Sequence, residues 1–200
     1  MTEEAADSIL GPRFDEAFAY ASALHRRQFR KGKHIPYLGH LMGVAALVIE
    51  DGGDEDEAIA ALLHDAVDDH SGVPVLNEIR RRFGAPVAEI VEGCTDHDPA
   101  KDRPSWHVRK RRYVAALATA DERVTRVCLA DKLDNARALL ADYRQAGEQV
   151  WYRYSAGREY LNYLHALADM FLAHSKSPMA DELHRTVSEL ERMAASVIVA

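Results

Sequence analysis

Cysteine is scarce in this sequence, and long apolar runs are missing from it. The 200 residues include two cysteines, Cys94 and Cys128, which stand in no CxxC or zinc-ribbon spacing and are expected to be buried thiols. This spacing excludes a structural zinc site built on thiolates. No apolar run approaches the roughly 18 residues of a membrane helix, and the acidic start shows no signal peptide. We therefore expect no membrane association and a cytoplasmic location.

Basic residues are outnumbered. There are 25 Lys and Arg against 32 Asp and Glu, for a formal net charge of −7 with histidine neutral. Non-specific binding of nucleic acid depends on clustered Lys and Arg that neutralise phosphates, so no nucleic-acid partner is expected. An anionic ligand would be repelled by the protein as a whole and would need a local group of basic side chains.

The chain reads as consecutive helices with short breaks, because alanine is frequent and no segment alternates apolar and polar residues. We predict an all-α fold in a single domain over residues 1–200. The predicted helices span Phe14–Arg30, Gly39–Glu50, Asp54–Asp69, Pro74–Arg82, Pro86–Gly93, Trp106–Ala118, Asp121–Tyr143, Ala146–His174 and Pro178–Ser196, with a loop at Thr95–Ser105.

The sequence allows more than one interpretation of two sets of residues. The apolar positions of the last two helices, such as Leu164 and Phe171, are expected to complete the core, and a homodimer seam is the other possibility. The basic run 109–112 is interpreted as a solvated helix face.

The stretch AALLHDAVDD, residues 60–69, places four polar side chains directly behind an apolar run. On a helix, His64 shares a face with Asp68, and Asp65 shares one with Asp68 and Asp69. Polar groups rarely enter a buried helix without partners. The adjacent His64 and Asp65 offer an imidazole nitrogen and a carboxylate oxygen, which suit one divalent cation.

Two other stretches offer the further ligands that a metal ion needs. His40 begins a predicted helix, and Asp131 lies in an apolar helical stretch with Asn135 four residues later on the same face. Two imidazoles and two carboxylates suit Mn²⁺, Fe²⁺ or Zn²⁺ better than Ca²⁺. The structural alternative is that the histidines are hydrogen-bonded core residues and that Asp131 pairs with Lys132 or Arg137.

With these pieces in order, the sequence resembles the HD phosphohydrolase superfamily, and within it the hydrolase domain of RelA/SpoT-type alarmone enzymes and their small stand-alone relatives. Five segments across about residues 14–140 carry the resemblance in chain order. They are RKGKHIPYLGH at 30–40, AALLHDAVDD at 60–69, FGAPVAEIVEGCT at 83–95, VRKRRYVAAL at 108–117 and LADKLDNAR at 129–137.

The resemblance implies an HD-type helical bundle in which one metal ion, typically Mn²⁺, is held by His40, His64, Asp65 and Asp131. It also implies a nucleotide substrate. The implied reaction is metal-dependent hydrolysis of the 3′-diphosphate of (p)ppGpp-like alarmones, which releases pyrophosphate and GDP or GTP. No synthetase or regulatory domain is expected to follow, so the protein would be a hydrolase only.

The same resemblance assigns the other site residues. Asp68 and Asp69 occupy the places of a Glu-Asp pair that handles water activation and proton transfer. Substrate binding falls to basic and amide side chains, with Lys101 standing for a lysine of the loop before Val108. The substrate-binding residues are Arg30, Lys31, Lys101, Asn135, Arg137 and Arg153.

This chain departs from the family at Asp68, where the family has Glu. The side chain is one methylene shorter, and a carboxylate displaced by about 1 Å can be costly in catalysis. His40 is followed by Leu41 rather than proline, which affects helix entry. Two other functions therefore stand beside the alarmone hydrolase. One is a different HD phosphohydrolase, such as a nucleotidase or an NADPH 2′-phosphatase, and the other is a metal- or nucleotide-binding regulator with weakened catalysis.

Overall fold

The computed structural model describes residues 10–70, 72–96 and 104–196, and these residues confirm the all-α prediction. Within these ranges the backbone forms no strand, and its only β-type pairing is an isolated antiparallel bridge between Phe29 and Pro36. In chain order the helices are α1 (Pro12–Leu24), α2 (Leu38–Glu50), α3 (Glu55–Leu63), α4 (Ala66–Asp69), α5 (Val73–Phe83), α6 (Ala85–Cys94), α7 (Trp106–Leu117), α8 (Glu122–Ala146), a 3₁₀ helix (Gly147–Arg153), α9 (Glu159–His174) and α10 (Pro178–Ser196).

Helix α8 is the central element of the fold, because α2, α3, α6 and α10 all pack against it. Its buried face carries Leu129, Leu133 and Leu139, each at most 1% exposed. Helix α6 approaches it closely at Gly93, where a Cβ would lie 2.7 Å from a methyl carbon of Val124. The helix that organises the core is therefore the one that carries the fifth motif segment.

Two helices begin with an aspartate cap. Asp54 accepts a hydrogen bond from the N–H of Glu57 at 3.0 Å, and its own N–H donates to the Glu57 carboxylate at 2.9 Å. This reciprocal pair is a capping box. Asp121 accepts from the N–H groups of Arg123 and Val124 at the start of α8. These side chains satisfy N–H groups that the first turn of a helix leaves without partners.

Replacing Asp54 with alanine is expected to lower the free energy of unfolding by about 1 kcal/mol, because it removes the acceptor at the start of α3. The matched control is Glu89→Ala, which alters an exposed acid of α6 and should change stability by less than about 0.5 kcal/mol. Urea denaturation, monitored by circular dichroism, measures the free energy of unfolding of both variants. Equal effects of the two substitutions would contradict the capping role.

The first helix ends earlier than predicted, at Leu24 rather than Arg30. The following residues fold back on themselves, because the N–H of Arg30 donates to the Ile35 carbonyl at 2.8 Å and the N–H of Tyr37 donates to the Gln28 carbonyl at 3.0 Å. The segment 25–37 is consequently a turn-back arm that leads into α2.

Two other predicted helices are interrupted. The helix predicted over 54–69 is divided into α3 and α4, with a turn at His64 and Asp65. The helix predicted over 146–174 is divided into the 3₁₀ helix and α9. Gly147 follows the last residue of α8, and Gly157 lies between the 3₁₀ helix and α9; both have φ of +55°, which glycine adopts without strain.

Helices α9 and α10 complete the core, as predicted. Leu161, Leu164, Leu167 and Phe171 of α9 are buried within the chain, and α10 packs against both α8 and α9. These residues are consequently covered by the protein itself rather than by a second copy.

None of the helices in the described part of the chain combines the length and the apolar character needed to cross a membrane.

Candidate active site

Three chain segments converge on one buried cluster of metal-type ligands. His40 lies in the first turn of α2, His64 and Asp65 lie between α3 and α4, and Asp131 lies in the middle of α8. Ligand atoms of His40, His64 and Asp65 all lie within 4.8 Å of one another. Oδ1 of Asp131 lies 3.3 Å from Nε2 of His40 and 3.6 Å from Nε2 of His64. The four side chains therefore surround one point.

The break between α3 and α4 explains how two neighbouring residues enter the same cluster. On a continuous helix, residues i and i+1 do not face each other. His64 still has helical backbone angles, but Asp65 has φ −94° and ψ −2°, which departs from the helix. This turn brings Oδ2 of Asp65 to 3.1 Å from Nε2 of His64.

Both imidazoles present Nε2 to the cluster, because Nδ1 of each is bonded elsewhere. Nδ1 of His40 pairs with Oδ2 of Asp134 at 2.6 Å, and Nδ1 of His64 donates to the carbonyl of Ala61 at 2.8 Å. The Nε2 atoms of His40 and His64 are fully buried and have no hydrogen-bond partner. An outer partner on one ring nitrogen with the other left free is the usual arrangement of a metal-binding histidine.

The two aspartates of the cluster are held as carboxylates. Asp65 accepts a hydrogen bond from the Tyr37 hydroxyl. Oδ2 of Asp131 pairs with Lys132 at 2.5 Å, while its Oδ1 accepts from the side-chain amide of Asn135 at 2.5 Å. Burial opposes ionisation of both, but the charges of His64 and Lys132 and the nearby imidazoles outweigh it. They hold the pKa of both carboxyls well below the ordinary value.

These residues fit a divalent cation. Burial alone would lower the pKa of His40, but the nearby carboxylates of Asp131, Asp134 and Asp65 outweigh it and raise the pKa to about 9. The cluster therefore attracts positive charge, and a divalent ion would take the place of the proton. The unpartnered Nε2 atoms supply nitrogen ligands and the carboxylates supply oxygen ligands.

Asp68 and Asp69 of α4 line an open cleft of about 430 Å³ beside the cluster. One oxygen of Asp68 accepts from the N–H of Asp96 at 3.1 Å, and one oxygen of Asp69 accepts from the Gln28 amide at 2.6 Å. The surrounding protein partly shields both carboxylates from water, and the negative charge of Asp65 disfavours a further negative charge nearby. Both effects raise the pKa of Asp68 and of Asp69 above the ordinary value.

Part of the cleft wall is basic. Arg109 and Lys110 of α7 have 13% and 18% of their side chains exposed, and they bond one oxygen of Asp96 at 2.6 Å and 2.7 Å. The interpretation of this run as a solvated face is wrong for these two residues, because both line the cleft. Arg111 and Arg112 are exposed, so it is right for them.

Aromatic rings complete the cleft next to Lys31. Tyr154 and Tyr160 stack with ring centroids 4.4 Å apart at an interplanar angle of 15°. Nζ of Lys31 lies 5.4 Å from the centroid of Tyr154. Stacked rings with a nearby cation form a surface on which a nucleobase can stack.

A second cavity of about 160 Å³ lies on the other side of Lys31 and Tyr37, and Arg30 and Asn135 line it. Nη1 of Arg30 donates to the Asn135 carbonyl oxygen at 3.1 Å, and its Nη2 lies 3.5 Å from Asp134. Two predicted substrate-binding residues therefore meet beside the candidate metal ligands.

Comparisons with known proteins agree with this geometry. Residues 17–159 match the model of a family described as HD domain. The chain belongs to the HD domain family.

Two relatives of this HD domain have named activities. A protein from Aquifex aeolicus named guanosine-3′,5′-bis(diphosphate) 3′-pyrophosphohydrolase is 37% identical over 123 residues, which are 62% of this chain but 17% of that protein's length. The Xenopus tropicalis protein of the same name, MESH1, is 39% identical over 127 residues, covering 62% of this chain and 68% of its own.

The fold of this HD domain is also similar to a solved structure of a metazoan ortholog of SpoT, described as hydrolyzing ppGpp and playing a role in starvation responses. The TM-score is 0.71 at 26% sequence identity, covering 91% of this chain and 95% of the other.

The HD domain does not bring every predicted residue to the cleft. Arg137 was predicted to bind substrate, but the structure places it elsewhere. Its guanidinium pairs with Glu182 of α10 at 2.6 Å, because residue 137 lies on a different face of α8 from Asp131. The same geometry excludes the Asp131–Arg137 pair and favours the Asp131–Lys132 pair. Arg153 pairs with Asp142 at 2.9 Å at the end of the 3₁₀ helix. Lys101 lies outside the described residues.

Three residues to which the sequence reasoning assigned no role support the candidate ligands and Asp69. Tyr37 bonds Asp65 and Asp134 bonds His40. Asp134 stands three residues after Asp131, so helical spacing gives a signal for it. Gln28 bonds Asp69 across 41 residues of sequence, and no spacing rule predicts such a contact.

Proposed function

We propose that this HD domain is a Mn²⁺-dependent 3′-pyrophosphohydrolase of (p)ppGpp-like alarmones, which releases pyrophosphate and leaves GDP or GTP. The observation that carries the proposal is the pair of buried, unpartnered Nε2 atoms of His40 and His64, which face the carboxylates of Asp65 and Asp131 beside an open cleft. The relatives from Aquifex aeolicus and Xenopus tropicalis bear the name of this activity, which supports the choice of substrate.

His40, His64, Asp65 and Asp131 would hold the ion. A bound divalent ion lowers the pKa of water and neutralises charge on phosphoryl oxygens. We propose Mn²⁺ because mixed imidazole and carboxylate ligands suit it. Asp134 and Ala61 keep the two imidazoles oriented through their Nδ1 atoms.

Asp68 and Asp69 are proposed to handle the protons. Water attacks the phosphorus nearest the sugar, the bond from that phosphorus to the 3′ oxygen breaks, and the 3′ oxygen leaves with a proton. Asp68 would take or orient the proton of the attacking water, and Asp69 would support proton delivery to the leaving oxygen. The raised pKa of both carboxyls suits proton exchange nearer neutrality than for an ordinary aspartate.

Substrate binding is proposed for the basic and aromatic residues of the cleft. Arg30, Lys31 and Asn135 keep the roles that the resemblance implies, and the geometry adds Arg109 and Lys110. Cationic side chains offset the phosphate charges of the substrate, which the net charge of −7 would otherwise repel. Two further residues, Lys101 and Arg153, stay predictions from the resemblance.

Incubation with ppGpp and Mn²⁺, with products resolved by ion-exchange chromatography, tests the proposal. We expect pyrophosphate and GDP, loss of activity with EDTA, and recovery when Mn²⁺ is restored. Orthophosphate as the product would indicate a phosphatase instead, and NADPH serves as the matched substrate for that outcome. Metal binding without turnover of any 3′-diphosphorylated purine nucleotide would indicate a regulator.

Replacing Lys110 with methionine is expected to raise KM for ppGpp about 10-fold, because a charge-assisted bond to phosphate is lost while the aliphatic stem is kept. Steady-state kinetics with Arg112→Met as the exposed control measures the effect. An unchanged KM in the Lys110 variant would remove this residue from the substrate site.

The cytoplasmic location stays a prediction from the sequence. The homodimer stays a prediction, and light scattering after size-exclusion chromatography tests it.

A further inference from the structure

We propose that Gln28 and His25 are positioning residues for this reaction: Gln28 holds one oxygen of Asp69, and His25 holds Gln28. The inference rests on the proposed function, because it concerns the alignment of a proton-handling carboxylate. Both residues precede the first of the five motif segments, and the resemblance assigns them no role.

The three side chains form a hydrogen-bonded chain with a defined direction. Nε2 of Gln28 donates to Oδ2 of Asp69 at 2.6 Å, and Oε1 of Gln28 lies 2.6 Å from Nδ1 of His25. A carboxylate can only accept, so the amide must present its NH₂ group to Asp69. The carbonyl oxygen of Gln28 then faces His25, and the proton of the imidazole must lie on Nδ1.

The inner end of this chain is fixed by the core. His25 is 2% exposed. Its ring stacks on Tyr37 with centroids 5.6 Å apart and meets the edge of His70 at 4.9 Å. The backbone of Gln28 is also tied, since its N–H donates to the His25 carbonyl and its carbonyl accepts from Tyr37, both at 3.0 Å. The side-chain amide of Gln28 therefore extends toward the cleft from a backbone that is held in place.

The outer end is where positioning is needed. Asp69 is exposed on the cleft, and an exposed aspartate is free to change rotamer. A bond to an anchored amide restricts that freedom. Asp68 receives the equivalent support from the N–H of Asp96 at 3.1 Å. One oxygen of each carboxylate thus accepts a hydrogen bond, and the two donors come from different segments of the chain. Among the described residues, Gln28 is the only one that donates to either carboxylate from a side chain.

Replacing Gln28 with methionine keeps the volume of the side chain and removes both hydrogen bonds. We expect kcat to fall about 10- to 100-fold with KM changed less than about 2-fold, because misaligned catalytic groups and lost outer partners have effects of this size. His25→Phe keeps a ring against Tyr37 but removes the N–H donor, and kcat should fall about 10-fold. The matched control is Arg26→Ala, an exposed neighbour that should behave as the parent.

A double-mutant cycle separates positioning from a general structural role. If Gln28 acts through Asp69, Gln28→Met should change kcat by less than about 2-fold in an Asp69→Ala background, although it is costly in the parent. Bound Mn²⁺ and the thermal unfolding midpoint should match between the Gln28→Met variant and the parent, which shows that the metal cluster and the fold are intact.

Losses of equal size in the two backgrounds would overturn the inference, because the effect of Gln28 would not pass through Asp69. A change in KM alone would overturn it as well. An Asp69→Ala variant as active as the parent would overturn both the role of Asp69 and the inference that depends on it. A parent enzyme with no pyrophosphohydrolase activity would overturn the proposed function itself, which is a distinct result of the same experiment.

Discussion

Asp131→Asn should reduce hydrolysis of ppGpp at least about 10³-fold and abolish tight binding of Mn²⁺. Oδ1 of Asp131 lies 3.3 Å and 3.6 Å from the two unpartnered imidazole nitrogens, so this carboxylate closes the cluster from the α8 side. An amide keeps the shape but removes the negative charge that a divalent ligand set requires. Loss of an ion that generates the nucleophile and neutralises the phosphoryl group should leave little activity.

Two controls belong with this substitution. Asp134→Asn weakens the outer partner of His40 and should lower activity or metal affinity about 10- to 100-fold, as such partners do. Asp181→Asn, on the exposed first turn of α10, should have no effect. Isothermal titration with Mn²⁺ and initial rates measure all three. If Asp131→Asn binds Mn²⁺ like the parent, the four-ligand site is wrong.

Asp68→Asn should lower kcat about 10²- to 10⁴-fold while leaving bound Mn²⁺ unchanged, because it removes a proton acceptor that is not a metal ligand. Metal content by elemental analysis and single-turnover kinetics separate this result from that of Asp131→Asn. Equal loss of metal in both variants would contradict the division between ligands and proton-handling residues.

Asp68→Glu addresses the departure from the family at this position. The shorter carboxylate is already bonded by the N–H of Asp96 at 3.1 Å, which indicates that the surroundings fit aspartate. We therefore expect the longer side chain to lose activity, on the order of 10-fold, rather than gain it. A large gain in rate would favour the alternative of a weakened site.

The convergence of His40, His64, Asp65 and Asp131 could be predicted from the sequence because these residues lie in segments with strong local patterns. His64 and Asp65 follow an apolar helical run, and Asp131 and Asn135 share a helix face that the structure joins by a 2.5 Å bond. Helical spacing determines such neighbours directly. The resemblance, which rests on the order of the five motif segments along the chain, then indicated which segments contribute to the same site.

The predictions that were wrong depended on tertiary structure, which local sequence patterns do not determine. The break at Asp65 falls in a stretch whose pattern is that of a continuous helix, so local pattern gives no signal for it. Arg109 and Lys110 look like a solvated run, and the fold places them on the cleft wall. Arg137 has the right sequence neighbourhood but the wrong face of α8, where Glu182 pairs with it.

The long-range contacts of Asp68 and Asp69, the proposed catalytic carboxylates, could not be predicted from the sequence. Gln28 meets Asp69, and the N–H of Asp96 meets Asp68, across 41 and 28 residues of chain. Contacts of this separation depend on how the arm 25–37 and the end of α6 pack, which no residue periodicity encodes. Both lie outside the proposed ligand set, and each holds one oxygen of a carboxylate on the cleft.

The central claim is that side chains from three segments hold one divalent ion in front of the cleft. Crystals soaked in Mn²⁺, with anomalous diffraction recorded at the manganese edge, test it most directly. The account predicts one strong peak per chain, within bonding distance of Nε2 of His40, Nε2 of His64 and the carboxylates of Asp65 and Asp131. A peak elsewhere, or none at these four side chains, would contradict it.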